Sequence, residues 1–214
     1  MGITMTGTTG VQNYGGGGIQ PVQGFRQSRD GGLVVSEYNG QLYTAAADNR
    51  VFMAYAVAVA TSTAGTAMVG LQLWNGSSPA SGVNLVLLEV GGMIVVTSAT
   101  TTSLVLATGT GQPNAPTSTT AITRQTGTVI SSSPPGAQGT AFNAGTFVNA
   151  PTAIMNLMHN TAAIGTTGED NGFRVDLKGR LIIAPQSYAC VAAVGAAVAA
   201  SGSNLDMTWM EVPV

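Results

Sequence analysis

Charge is the scarcest commodity in this sequence: seven Lys or Arg and nine Asp or Glu stand among 214 residues, against the about 25% charged residues of an ordinary soluble domain. The cations are six Arg and the lone Lys178, scattered along the whole length, so there is no basic cluster to neutralise phosphates and no nucleic-acid partner is expected. Cys190 is the single cysteine, which excludes an intramolecular disulfide framework and a Cys-rich zinc site. His159 is the single histidine, which excludes metal sites built on two or three imidazoles. Long apolar runs are also missing. The longest, residues 189–200, is 12 residues of Ala, Val, Cys and Gly; it falls short of the about 18 needed to cross a bilayer and reads as a buried strand. No basic region followed by an apolar run opens the chain, so no secretory signal is expected and the product starts near Met1.

Glycine, by contrast, is abundant, and it is unevenly used. Residues 1–32 contain four consecutive glycines at 15–18 and almost no periodic apolar pattern. Such a segment loses too much backbone entropy to fold alone and is expected to be an extended arm, either a solvated tether or, the favoured reading, one ordered against a partner or a sister subunit. Tyr14, Ile19, Val22 and Phe25 supply apolar anchors for such a contact, and Arg26, Arg29 and Asp30 are the arm's only charges.

From Leu33 the pattern turns to strands, giving a two-part reading: an arm over 1–32 and one domain over 33–214. LVVSEY, Asn39-Gly40 and QLYT form a two-residue hairpin signal, because Asn-Gly accepts the positive φ of a type I′ turn. Residues 51–60 alternate Val51, Met53, Tyr55, Val57 and Val59 with Phe52 and alanines, a period of two. Residues 67–74 and 83–97 follow, and Gly91-Gly92 suggests a bend where the chain crosses between sheets. Between 98 and 149 short apolar islands are joined by loops, the largest around 109–120 and 131–143. The last third reads as strands over 153–159, 173–177, 180–184, 188–199 and 205–212, with turns at Lys178-Gly179, Pro185-Gln186-Ser187 and 201–204. Helix signals are thin, with one turn over 44–50. The fold class is therefore all-β, an antiparallel sandwich or barrel.

Candidate chemistry is sparse. His159 would need an orienting acid and a nucleophile to act as a base. Glu169, Asp170, Arg174, Asp176, Lys178 and Arg180 crowd into one stretch and read as an ion-pair ladder across a hairpin rather than as a catalytic carboxylate pair. Glu169, Asp170 and Asn171 lack the spacing of a calcium loop. The glycine runs at 15–18 and 109–111 lack the Lys-Ser or Lys-Thr of a phosphate-binding loop. Trp74 and Trp209 are expected at core edges, Trp74 with a glycan contact as its alternative use. No catalytic residue, cofactor or metal is assigned.

A nearly uncharged exterior favours permanent association, because charges are depleted from interface cores. The Gly-rich arm, LVVSEYNGQLYTAAADNRVF, LQLWN followed by SGVNLVLLEV, the PQSY corner and the terminal MTWMEVPV together resemble a group of tailed-bacteriophage virion proteins. The resemblance implies a jelly-roll-like sandwich, a homotrimer on the outside of an icosahedral capsid, bridging major capsid subunits as a decoration or cement protein and made in the host cytoplasm. The alternative is a receptor- or glycan-binding module of a phage fibre or tail, carried by the polar loops 109–120 and 131–143.

Overall fold

The computed structural model describes residues 12–14, 18–20, 26–27, 33–34, 45–46, 49–61, 65–80, 82–94, 102–121, 125–127, 137–160, 172–195 and 198–214. The chain divides into two units, residues 1–41 and 42–214. In the first, β1 (Gln12–Tyr14) pairs antiparallel with β2 (Gly18–Gln20), and β3 (Arg26–Gln27) pairs antiparallel with β4 (Leu33–Val34). The Asn39-Gly40 hairpin turn lies outside the described residues.

The second unit opens on a single helical turn at Ala45–Ala46. Arg50 N donates to Ala45 O at 2.8 Å and Asn49 N to Ala46 O at 2.9 Å, with Asn49 at φ 55°. This is the Schellman closure, in which a left-handed residue ends the turn; asparagine tolerates that conformation where most side chains do not. Eleven strands follow: β5 (Val51–Thr61), β6 (Ala67–Asn75), β7 (Val83–Ile94), β8 (Thr102–Gly109), β9 (Thr117–Ala121), β10 (Gln125–Gly127), β11 (Gly139–Thr146), β12 (Thr152–Asn160), β13 (Gly172–Ile183), β14 (Ser187–Gly195) and β15 (Val198–Pro213). They form two antiparallel sheets, one ordered β10-β5-β15-β7-β13 and the other β12-β8-β14-β6-β11-β9. The all-β, sandwich-like architecture expected from the alternating pattern is therefore present.

Period-two alternation builds the core between the sheets. Leu71 and Leu73, Leu104 and Leu106, and Ala189, Val191 and Ala193 face inward from the six-stranded sheet. Phe52, Leu85, Leu87, Leu205, Met207 and Trp209 face them from the five-stranded sheet. Trp209 is fully buried and stacks on Phe52 with ring centroids 5.9 Å apart. Each such side chain contributes about 1.5–3 kcal/mol on leaving water. On β5 Phe52 and the small Ala54 and Ala56 face inward, while Met53, Tyr55 and Val57 face outward and are exposed. Ala54 and Ala56 pair across strands with Met207 and Leu205, so small residues on one strand make room for large ones on the next.

Several local expectations are corrected. β7 stays in one sheet through Gly91-Gly92, and its irregularity lies instead at Leu88, where β15 shifts register between Thr208 and Trp209. Lys178 and Gly179 do take left-handed φ values of 51° and 71°, yet the chain does not reverse there: both halves of β13 pair with β7, and residues 177–180 form a bulge between them. Residues 201–204 are likewise a bulged part of the 16-residue β15 and not a turn. The Pro185 corner is as expected. Ser187 N donates to Ala184 O at 3.1 Å and Gln186 sits at φ 59°, a type II turn that carries the chain from β13 in one sheet to β14 in the other.

Candidate functional site

The outer face of the five-stranded sheet carries a cluster of charged side chains in mutual contact. Register places Tyr55 of β5, Asp206 of β15, Gly91 of β7 and Arg174 of β13 side by side in one row, with Met53, Thr208, Glu89 and Asp176 in the row beside it. Opposed residues on one face are in side-chain reach. Gly91 leaves the space that Asp206 fills: a Cβ at that position would lie 2.6 Å from Asp206 Oδ1. Arg174 Nη1 is 2.6 Å from Glu89 Oε1, and Nη2 is 3.6 Å from Asp206 Oδ2. Partial burial raises the Asp206 carboxyl above its ordinary value, and the Arg174 charge pulls it part of the way back. Beside this cluster is an open depression of about 490 Å³, lined by Tyr55, Gly92, Met93, Phe173, Arg174, Asn204 and Asp206 and the backbone of Gly172.

The remaining polar groups hold the fold. Glu211 is buried at the end of β15, where one oxygen, Oε1, accepts from Gln138 N at 2.8 Å, Gly139 N at 2.9 Å and Trp209 Nε1 at 3.4 Å. Burial raises its carboxyl, and the three donors oppose that rise. Asn75 is buried at the end of β6 and donates from Nδ2 to Val83 O at 2.7 Å and Ile183 O at 2.9 Å, tying one sheet to the other.

On the outer face of the six-stranded sheet, Tyr188, Cys190, Ala192, Val105, Ala107 and Phe147 form a second core. The Tyr188 ring stacks on Phe147 at 3.7 Å, lies over Gly109 and donates its hydroxyl to Asn149 O at 2.5 Å. The loop 110–116 is laced down around buried Gln112. Its carbonyl accepts from Trp74 Nε1, its side chain takes Val148 N and gives to Asn114 O, and its N–H reaches Gln186 O. Gln112 and Pro116 are thus the buried points that pin the described part of the polar loop over 109–120, and most of its other residues are exposed. Trp74 is a half-buried core edge whose ring lies against Gly76. Residues 131–136 of the second polar loop lie outside the described residues.

His159 lies on β12 opposite Ser103 of β8, and Ser103 Oγ hydrogen-bonds to His159 Nδ1. Among the described residues no carboxylate hydrogen-bonds the ring, and none of them forms a group of three His, Cys, Asp or Glu suited to a metal. Arg174 and Asp176, expected to meet partners across a turn, act differently: Arg174 reaches β7 and β15, and Asp176 Oδ1 accepts the Lys178 N–H at 2.8 Å. Of the arm residues, Tyr14 pairs with Gly18, Ile19 with Asn13 and Arg26 with Val34. Val22, Phe25, Arg29 and Asp30, and the acidic pair Glu169 and Asp170, lie outside the described residues.

The Glu89–Arg174–Asp206 cluster escaped the sequence reading because its members are far apart in the chain. Two signals could have found it: the glycine doublet on β7, and the polar alternation Asn204, Asp206, Thr208 in an otherwise apolar last strand. Comparison with protein families, with curated proteins and with solved structures gives no match to this chain.

Proposed function

We propose that the protein is a non-enzymatic structural protein of a tailed-bacteriophage virion, a jelly-roll sandwich that decorates or cements the outside of the icosahedral capsid as a homotrimer. The observation that carries this reading is the strand order. β5-β15-β7-β13 in one sheet and β6-β14-β8-β12 in the other is the pattern produced when a long antiparallel hairpin rolls up, the architecture of many viral shell domains. The charge-poor composition and the exposed Met53 and Val57 suit a protein that lives in contact with other subunits. In this reading the arm, with Tyr14, Ile19, Val22, Phe25, Arg26, Arg29 and Asp30, binds the major capsid protein. Three arms on one trimer add avidity, and binding stabilises the assembled shell by mass action.

The test is co-sedimentation of the full-length protein with phage heads that lack it, with light scattering of the free protein. Saturation at about one trimer per local three-fold position and a solution mass of three 21.5 kDa chains are the expected results. A monomer, or heads left bare at saturating protein, would remove the proposal. A copy number of only a few per virion would favour a glycan-binding fibre or tail module instead.

A further inference from the structure

We propose that the depression beside Asp206 and Arg174 is a binding site for a neutral saccharide, a proposal independent of where in a virion the protein sits. Three observations converge on it. The first is shape. Gly92 and Gly172 bring side-chain-free backbone to the lining on β7 and β13, and the outward-facing side chains Tyr55, Met93 and Arg174 stand around it, with Phe173 packed inward against the core. Its volume falls within the about 300–1,000 Å³ of small-ligand sites.

The second is chemistry. A pyranose presents an apolar C–H face and a rim of hydroxyls that both donate and accept. Tyr55, 51% exposed on β5, and Met93, 41% exposed on β7, offer apolar surface on the two sides of β15. Arg174 and Asp206 offer donors and acceptors next to it. The guanidinium has five N–H groups, of which only some can face Glu89 and Asp206, and its side chain is 68% exposed. Charge decides the class of ligand. Two carboxylates face one guanidinium, so a phosphate or carboxylate ligand meets net repulsion, and a cation meets Arg174 at the same edge.

The third is preorganisation. Arg174 is held between Glu89 and Asp206, and Asp206 is seated in the gap that Gly91 leaves, so the polar groups are in place before a ligand arrives.

Saturation-transfer NMR on the full-length protein tests this. The probes are the methyl glycosides of glucose, mannose, galactose and N-acetylglucosamine at millimolar concentration, with glucose 6-phosphate and spermidine as charged comparators. At least one neutral glycoside is expected to bind, and Tyr55→Ala and Arg174→Ala are each expected to weaken it about tenfold or more. Ile182→Ala, on the same outer face but outside the depression, is expected to leave binding unchanged. Both test positions are exposed, and an unchanged thermal midpoint shows that each variant is folded. Absence of transfer to every neutral glycoside overturns the proposal. So does binding that survives both variants, or tighter binding of glucose 6-phosphate or spermidine.

Discussion

On the outer face of the six-stranded sheet Tyr188 is wholly buried, whereas on the outer face of the five-stranded sheet Tyr55 is 51% exposed. Both tyrosines sit on strands of one sandwich and both point away from its central core. The difference is what the neighbouring chain does. Over the first face residues 110–116 and 147–151 fold down, and the two buried polar side chains beneath them find backbone partners: the Tyr188 hydroxyl on Asn149 O, the Gln112 side chain on Val148 N and Asn114 O. On the second face the polar groups answer one another, Arg174 to Glu89 and Asp206, and keep hydrogen-bonding capacity in reserve. The same alternation that builds a core therefore builds either a second core or an open surface, and the loops decide which.

The sharpest way to break this contrast is truncation of the two tyrosines. Tyr188→Ala removes a fully buried ring, its stack on Phe147 and its hydrogen bond, and is expected to cost about 3–5 kcal/mol in urea unfolding. Tyr55→Ala is expected to change stability by no more than about 0.5 kcal/mol. Equal losses at the two positions would show that the outer faces are not energetically distinct.

Glu211→Ala comes next. It orphans two backbone N–H groups and the Trp209 indole, and is expected to cost about 2–4 kcal/mol by the same measurement. Glu211→Gln keeps an oxygen acceptor and isolates the charge. Because burial raises this carboxyl in the folded chain, its share of stability is complete below the ordinary value of 4.5 and is lost as pH rises through the raised native value. Asp206, also raised, acts in the same direction from 3.8 upward. The Gln variant is thus expected to gain on the parent as pH rises from about 4 toward neutrality, and a gain that shrinks with pH would reverse the assignment.

Gln112→Ala cuts the loop from the covered face and is expected to cost about 1–3 kcal/mol, with faster amide exchange at Val148. The smallest effects belong to the open face. Gly91→Ala pushes the Asp206 carboxylate out of its seat, at about 1 kcal/mol, and Arg174→Ala, removing an exposed ion pair, is expected to stay within about 1 kcal/mol. A loss at Arg174 as large as that at Gln112 would place the ion-pair cluster among the elements that hold the sandwich together.

The all-β class was legible because period-two runs such as residues 51–57 and the turn at Pro185-Gln186 are local signals. Which side of such a run faces the core was not. On β5 Met53, Tyr55 and Val57 point outward and Ala54 and Ala56 inward, where the cross-strand partners Leu205 and Met207 already fill the interior. Bulges were misread as turns because Lys178-Gly179 has the dihedral preference of a turn, and only the pairing of both flanks with β7 reveals that the strand continues. The ion-pair cluster needed strands β7, β13 and β15 to be aligned, information that sequence distance hides. Asn75 lies just past the strand expected over 67–74, and its bonds to Val83 O and Ile183 O depend on two strands of the opposite sheet.

Cys190 lies on β14 with no exposed surface, opposite Ala107 of β8, whose carbonyl lies 3.7 Å from its sulfur. Burial also pushes its thiol far above the ordinary range, so the reactive thiolate is suppressed while the strands stay together. As the single cysteine of the chain, it turns a bulk chemical reaction into a clock for one event. With reagent in excess, the labelling rate equals the rate at which these two strands part; with reagent limiting, it reports how large a fraction is parted at any moment. Binding to a shell or to a sugar that slows this clock would do so by steadying the middle of the six-stranded sheet, a readout that needs no engineered probe.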